Sequence, residues 1–134
     1  MDIRISPSRL SGSISAISSK SDAHRALICA ALSDAPTELA LNGSSVDIET
    51  TIRCLQSLGA AFSVSEHSIS VSPMQSAAKT AALNCEESGS TLRFLLPVAA
   101  ALGCQANFTG RGIRLTWKQS LYSSERKSKW NGNN

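Results

Sequence analysis

Two stretches of the sequence share one pattern, in which small hydroxyl-bearing residues open a predicted helix and an arginine follows. The first is Ser19-Lys20-Ser21 with Arg25, and the second is Ser88-Gly89-Ser90 with Arg93. A single shift lays position 21 on 89 and position 25 on 93, and both segments continue into Ala-Ala-Leu. This repeat predicts that a unit containing a helix occurs twice, and it constrains the fold more than any other feature.

The chemistry of these helix starts favours anion binding. Ser and Asp are good N-caps because their oxygens accept backbone N–H groups, and we predict that the first helix opens at Ser21 or Asp22. The free N–H groups and the helix dipole attract anions. Lys20 stands immediately before this start, and Arg25 follows Ser21 by four residues and shares its face. Two such starts predict one or two ligands that carry several negative charges.

A plainer interpretation competes at each start. The first motif is also typical of a helix cap with solvated charges. At the second, Arg93 would only pair with Glu86 or Glu87 in an ordinary capped core helix. Gly89 favours the binding interpretation, because a glycine lets a ligand approach the backbone closely.

The composition indicates one domain or a piece of a larger one. Of the 134 residues 42% are apolar but only 4% are aromatic, so Ala, Leu, Ile and Val must fill the core. No apolar run approaches the roughly 20 residues of a membrane span. An N-terminal signal region is also lacking, and we predict a cytoplasmic protein. The four cysteines are too widely spaced for zinc, which predicts reduced, mostly buried thiols and no metal site.

The net charge of +3 is unevenly distributed. From position 113 onward, five basic residues face one acidic residue, so the body before them is slightly acidic. The basic character therefore belongs to the tail and gives no ground for a nucleic-acid surface on the body.

The hydrophobic pattern predicts an α/β protein. Alternation around Ile3 and Ile5 predicts a short strand, and a second extended piece is expected near Ile14 and Ile17. A helix then runs to the stop at Ser33-Asp34-Ala35-Pro36. A strand is predicted from Glu38 to Leu41, and a turn at Asn42-Gly43.

The second half continues this alternation of helices and strands. Ser45 to Asp47 opens a helix that Gly59 ends. A hairpin is predicted from Phe62 to Val71, followed by a strand near Ala81 to Asn84. The second repeated motif then opens a helix, and the last predicted strand covers 106–109. A Gly-Arg-Gly turn follows and brings Arg111 toward the same region.

These motifs, in this order and spacing, resemble the N-terminal part of the 5-enolpyruvylshikimate-3-phosphate synthase family (3-phosphoshikimate 1-carboxyvinyltransferases). The resemblance extends to about position 112. The stretches that carry it are Ser19-Lys20-Ser21 with Arg25, Ser45 to Asp47 leading to Leu58-Gly59-Ala60, Ser88-Gly89-Ser90-Thr91-Leu92-Arg93, and Phe108-Thr109-Gly110. It implies the inside-out α/β barrel of the enolpyruvyl transferases, built from βαβαββ units. Residues 1–112 would hold the first unit, the start of the next, and an N-terminal piece of the other domain.

The resemblance also implies roles for individual residues. Lys20, Ser21 and Arg25 match the family's binders of shikimate 3-phosphate, and Lys20 would also lie near phosphoenolpyruvate. Gly89 and Arg93 match the helix start that holds phosphoenolpyruvate. A further arginine is expected after the Phe-Thr-Gly strand, where Arg111 and Arg114 are both near the position and neither has the expected context.

The last 22 residues, 113–134, depart from the family. All of the Trp and Tyr residues of the chain lie there, at positions 117, 122 and 130. This break predicts a disordered tail foreign to the fold, and we hypothesise a reading-frame shift or a truncated gene. An open, family-like alternative frame in the encoding DNA would support this origin, and its absence would remove it.

The implied reaction transfers enolpyruvyl from phosphoenolpyruvate to shikimate 3-phosphate, releases phosphate, and needs no metal or organic cofactor. Both substrates are polyanions, which explains the clustered cations. The family's proton-transfer residues lie later in its sequence and are absent here, so no catalytic residue is assigned and the isolated chain is expected to be inactive. The family is typically monomeric, with no nucleic-acid or membrane partner.

Three alternatives remain open. A transferase acting on a UDP-sugar fits poorly, because that branch carries a Lys-Asn pair in the corresponding loop. A non-catalytic anion-binding module would bind the same ligands without chemistry. A basic nucleic-acid binder would lose its salt-sensitive binding when the tail is removed.

Overall fold

The structure is a computed structural model that describes residues 3–111 except positions 5, 8, 10 and 15. The predictions about Ile5, Arg114 and the tail 113–134 lie outside these residues. The described elements alternate between helices and strands, which confirms a mixed α/β fold. In chain order they are α1 (Lys20–Leu32), β1 (Thr37–Ala40), α2 (Val46–Leu58), β2 (Ala61–Val64), β3 (Ser68–Ser72), β4 (Thr80–Asn84), α3 (Gly89–Ala101) and β5 (Gln105–Thr109).

Two predictions for the N-terminal segment are wrong within the described residues. Ile3 and its described neighbours belong to no strand, and neither do Ile14 and Ile17. All three isoleucines are more than 80% exposed, so their alternation reflects no buried sheet face here. The segment is tied to the body at Ser18, whose N–H donates to the Asn42 carbonyl.

The five strands form two separate sheets. β3 lies between β1 and β2 and is antiparallel to both, so the predicted hairpin β2–β3 is confirmed. β4 and β5 form a parallel pair, which needs a crossover connection that α3 supplies. β1 begins at Thr37 and ends at Ala40, one residue earlier at both ends than the alternation predicted.

Helix α2 ends at the glycine that the sequence predicted. Gly59 has φ of +118°, in the left-handed region where side chains are disfavoured. A Cβ at this position would also lie 2.9 Å from the Ser76 carbonyl oxygen. Gly59 therefore serves both the backbone turn and the close packing of the following loop.

The core lies between the helices and the two sheets. Small and branched apolar side chains fill it, as the low aromatic content predicts. The five fully buried leucines come from α1, α2, β4 and α3 and are Leu27, Leu55, Leu58, Leu83 and Leu95. Close packing of these residues holds the three helices against one another and brings their N-termini together.

Candidate functional site

The N-termini of all three helices meet at one open pocket of about 230 Å³. Each helix is capped by a serine whose Oγ accepts a backbone N–H, and the caps are Ser19, Ser45 and Ser88. First-turn residues of each helix line the pocket, namely Lys20, Asp47 and the pair Gly89 and Ser90. The positive ends of three helix dipoles therefore point toward one small volume.

Helix α1 begins earlier than predicted, with its N-cap two residues before Ser21. Its N-cap is Ser19, so Lys20 is the first helical residue and does not precede the helix. The Ser19 hydroxyl accepts the Asp22 N–H at 3.4 Å. Ser21 and Asp22, the predicted start, are therefore already inside the first turn.

Three cationic side chains line the pocket, and two carboxylates accompany them. The cations are Lys20, Arg93 and Arg111, and the carboxylates are Asp47 and Glu87. Lys20 Nζ lies 2.6 Å from Asp47 Oδ2, so the charge of Lys20 is partly neutralised by this carboxylate. Since the Lys20 side chain is 53% exposed, this ion pair stabilises the fold by at most about 1 kcal/mol.

Arg93 and Arg111 carry the free positive charge of the pocket. Neither forms an ion pair with another described residue. The plainer interpretation, in which Arg93 pairs with Glu86 or Glu87, is wrong among the described residues: neither carboxylate forms an ion pair with Arg93, and Glu86 pairs with Arg53 at 3.7 Å. The backbone N–H of Arg111 donates to the Glu86 carbonyl at 2.7 Å, which holds Arg111 beside the start of α3.

Ser21 and Arg25 do not line this pocket. The Arg25 guanidinium lies 5.7 Å from the centre of the Phe94 ring, where a cation–π contact joins α1 to α3. It also lies 3.4 Å from Asp22 Oδ1, and its side chain is 61% exposed. Arg25 therefore contacts α3 but lies outside the lining that Lys20 and Arg93 share.

The backbone conformation at position 89 does not require a glycine. Its φ lies outside the left-handed region, and a Cβ placed on it would meet no atom within 4 Å. The space beside Gly89 therefore opens on the pocket. This agrees with the expectation that a ligand approaches the backbone here.

Comparison of the chain with known protein families identifies its family. The model of EPSP synthase (3-phosphoshikimate 1-carboxyvinyltransferase) matches residues 5–113. The chain belongs to the EPSP synthase family. The resemblance of the sequence motifs to this family is thereby confirmed.

The proteins similar to this chain are 3-phosphoshikimate 1-carboxyvinyltransferases. The chain is 41% identical over 111 residues to the 3-phosphoshikimate 1-carboxyvinyltransferase of Clostridium kluyveri, covering 82% of this chain and 26% of that protein. The corresponding enzyme of Clostridium beijerinckii is 40% identical over 119 residues, covering 83% and 27%. That of Brachyspira hyodysenteriae is 38% identical over 112 residues, covering 82% and 26%. The chain thus spans about a quarter of the length of these EPSP synthases.

The sequence analysis missed a buried polar cluster behind the pocket of this EPSP synthase family member. His24, Thr51, Thr91 and Ser88 are each at most 2% exposed and are linked by hydrogen bonds. Burial lowers the pKa of His24, while the nearby Asp47 carboxylate opposes this shift. One feature of the sequence could have indicated this cluster. Thr51 is a polar residue between Ile48 and Ile52, on the buried face of α2.

The cysteines agree with the predicted reduced thiols. All four are free, and Cys54, Cys85 and Cys104 are buried, while Cys29 is exposed. The Cys54 thiol donates to the Asn84 carbonyl and the Cys85 thiol to the Leu83 carbonyl. The neighbouring Cys54 thiol and burial raise the pKa of Cys85. Among the described residues, no group of three or more His, Cys, Asp or Glu is placed to hold a metal ion, and no helix is long and apolar enough to cross a membrane.

Proposed function

We propose that this chain carries part of the substrate site for transfer of enolpyruvyl from phosphoenolpyruvate to shikimate 3-phosphate, the shikimate-pathway step of aromatic amino-acid biosynthesis. One observation carries the proposal: three helix N-termini and three cationic side chains converge on a single open pocket. The names of the relatives, all 3-phosphoshikimate 1-carboxyvinyltransferases, support this substrate pair.

The two ligands would occupy neighbouring parts of the site. Gly89 and Arg93 would hold phosphoenolpyruvate, with Arg111 as the additional arginine expected after the Phe-Thr-Gly strand. Ser21 and Arg25 would bind shikimate 3-phosphate on the adjacent side of α1. Lys20 lines the pocket with Gly89 and Arg93 and would contact both ligands after leaving Asp47.

The chemistry of the pocket suits these substrates. Cations and helix N-termini bring two polyanions together and offset their repulsion. The reaction passes through a tetrahedral addition intermediate, whose charge the same groups would stabilise. We assign no proton-transfer group to the described residues, in keeping with a chain that covers about a quarter of its relatives.

The element order suits a segment of the enolpyruvyl transferase barrel. The order α1, β1, α2, β2, β3 follows the last five elements of a βαβαββ unit, and β4, α3, β5 follow the start of the next. We propose that these residues are that part of an inside-out barrel whose remaining parts complete the active site. A cytoplasmic location and a monomeric state stay predictions.

A binding experiment tests the proposed function. Phosphoenolpyruvate and shikimate 3-phosphate are titrated calorimetrically against the unchanged chain, against Lys20→Ala, and against Lys79→Ala as an exposed lysine outside the pocket. We expect Lys20→Ala to weaken binding of both ligands about tenfold, since charge-assisted hydrogen bonds are lost. Lys79→Ala should bind like the unchanged chain.

Two outcomes would remove parts of the proposal. Equal affinity in the unchanged chain and Lys20→Ala, or no binding in either, removes the site. Binding of a UDP-sugar in place of shikimate 3-phosphate would favour the other transferase branch. We expect no turnover from the chain alone, and phosphate release that depends on shikimate 3-phosphate would contradict that.

A further inference from the structure

A chain of buried polar groups joins the three helices directly behind the pocket. It runs from His24 Nδ1 in α1 to Thr51 Oγ1 in α2 at 2.7 Å, and from there to Thr91 Oγ1 in α3 at 2.7 Å. The Thr91 hydroxyl then donates to Ser88 Oγ, again at 2.7 Å. We call these four residues the buried polar chain.

Counting hydrogens fixes the direction of these bonds. Each hydroxyl has one hydrogen to donate, and Thr91 gives its hydrogen to Ser88. The 2.7 Å contact between Thr51 and Thr91 then has only the Thr51 hydrogen available to it, so Thr51 donates to Thr91. Thr51 has no hydrogen left for His24, so His24 Nδ1 is the donor.

The other ring nitrogen gives independent support for this tautomer. His24 Nε2 is buried and has no hydrogen-bond partner among the described residues. A buried N–H without an acceptor is rarer in proteins than an unused acceptor. The Nδ1–H tautomer leaves only a bare acceptor at Nε2, whereas the other tautomer would leave an orphaned donor. Burial, which lowers the pKa of His24, favours the neutral ring that this count requires.

The buried polar chain contacts each helix close to its contribution to the pocket. Ser88 is the N-cap of α3 and immediately precedes Gly89, which lines the pocket. Thr51 lies one turn after Asp47 and is within hydrogen-bond distance of its carbonyl. His24 lies one turn after Lys20 in α1. A displacement of any one helix along its axis would break a bond of this chain.

We propose that His24, as the Nδ1–H tautomer, acts with Thr51, Thr91 and Ser88 as a set of positioning residues that fix the three helix N-termini around the pocket. Hydrogen bonds set direction and spacing more strictly than apolar contacts do, and buried polar contacts can specify one arrangement of packed helices. The effect on ligand affinity rests on the proposed function, while the hydrogen-bond pattern does not.

The tautomer is tested by nitrogen NMR of the ¹⁵N-labelled chain. The sequence has two histidines, and His67 is exposed, so the variant His67→Gln leaves the His24 signals alone in the spectrum. We expect long-range ¹H–¹⁵N correlations at neutral pH to show a protonated Nδ1 and a bare Nε2. A protonated Nε2 with a bare Nδ1 overturns the proposal.

The positioning role is tested with two neighbouring threonines of α2. Thr51→Val breaks the buried polar chain with little change in shape, and Thr51→Ser restores the hydroxyl. Thr50→Val is the matched control: Thr50 is equally buried and donates to a carbonyl four residues earlier, and its hydroxyl also accepts a bond from Arg53, which lies outside the buried polar chain. Hydrogen exchange of the Thr91 amide, which donates to Ser88 Oγ, reports the order of the α3 start without any ligand.

We expect Thr51→Val to speed exchange of the Thr91 amide and to weaken phosphoenolpyruvate binding about fivefold, the effect of one lost hydrogen bond. Thr51→Ser should restore both, and Thr50→Val should change neither. Equal exchange rates in Thr51→Val and Thr50→Val overturn the positioning role. If the unchanged chain binds no phosphoenolpyruvate, the proposed function fails, and the exchange and NMR results still decide this inference.

Discussion

The starts of α1 and α3 look alike in sequence but differ in what they present to the pocket. Both have a serine N-cap, Ser19 and Ser88, and each cap accepts the N–H of the third helical residue. At α1 the pocket receives Lys20, which is already paired with Asp47. At α3 it receives an open glycine and Arg93, which forms no ion pair with a described residue.

The difference comes from a register shift of one residue. The sequence motifs align Arg25 with Arg93, but measured from the N-caps Arg25 is the sixth helical residue and Arg93 is the fifth. One residue turns a side chain by about 100° around a helix of 3.6 residues per turn. Arg25 therefore leaves the pocket and covers Phe94, while His24 takes the fifth position of α1 and is buried. A repeated motif thus yields one arginine that lines the pocket and one at a helix junction.

The largest expected effect separates the two arginines. Arg93→Ala should weaken phosphoenolpyruvate binding about 10- to 100-fold, since hydrogen bonds to charged groups are worth about 1.5–3 kcal/mol. Arg25→Ala should leave phosphoenolpyruvate affinity unchanged and reduce only shikimate 3-phosphate affinity. Calorimetric titration of both variants with both ligands makes the comparison. A similar loss of phosphoenolpyruvate binding in the two variants would show that the register argument is wrong.

A smaller effect is expected at Gly89, the first residue of α3. Gly89→Ala should weaken phosphoenolpyruvate binding about fivefold, because the added methyl enters the pocket and removes close backbone contact. Its free energy of unfolding should change by less than about 1 kcal/mol, since the methyl meets no protein atom. Gly59→Ala is the contrasting variant and should destabilise the fold through φ of +118° and the Ser76 carbonyl. Denaturant unfolding and titration are measured on both. Unchanged binding by Gly89→Ala would contradict a ligand at this backbone.

The smallest effect is expected at His24, the fifth residue of α1. Because its pKa is lowered in the folded state from the ordinary 6.5, the unfolded chain binds more protons as the pH falls below about 6.5. Stability should therefore decrease from pH 7 toward pH 5, by at most about 1.4 kcal/mol per pH unit from this group. His24→Asn should show a shallower pH dependence in urea unfolding, and exposed His67→Gln should match the unchanged chain. Identical slopes in all three chains would refute the contribution of His24.

Local patterns predicted most of the regular elements. Gly59 ends α2 as expected because a left-handed C-cap is a local backbone requirement. The hairpin β2–β3 was predictable because alternation and a short polar turn specify it locally. The strand expected near Ile3 failed within the described residues, since alternation alone cannot say whether a partner strand or a core is present. The sequence pattern did not predict Thr37 in β1, because Thr37 belongs to the strand through its pairing with Val71, which is distant in the chain.

The residues of the site were predicted only in part, because helix starts are local features and contacts between helices are not. Lys20, Gly89 and Arg93 were assigned from helix-start chemistry, and the fold brings them into one pocket. Arg111 was one of two open choices, and its place in that pocket follows from the backbone hydrogen bond to Glu86. The roles of Asp47 and of the buried polar chain were missed, because their partners lie 27 and 40 positions away in the chain.

The sequence by itself determined the order of the elements from α1 to β5 and the residue types present at the helix starts, because these depend on near neighbours in the chain. Only the tertiary structure decided which of those residues face the same space. The packing of α1, α2 and α3 selected Arg93 over Arg25 and paired Lys20 with Asp47. Side-chain direction depends on helix phase and on distant contacts, and a linear motif contains neither.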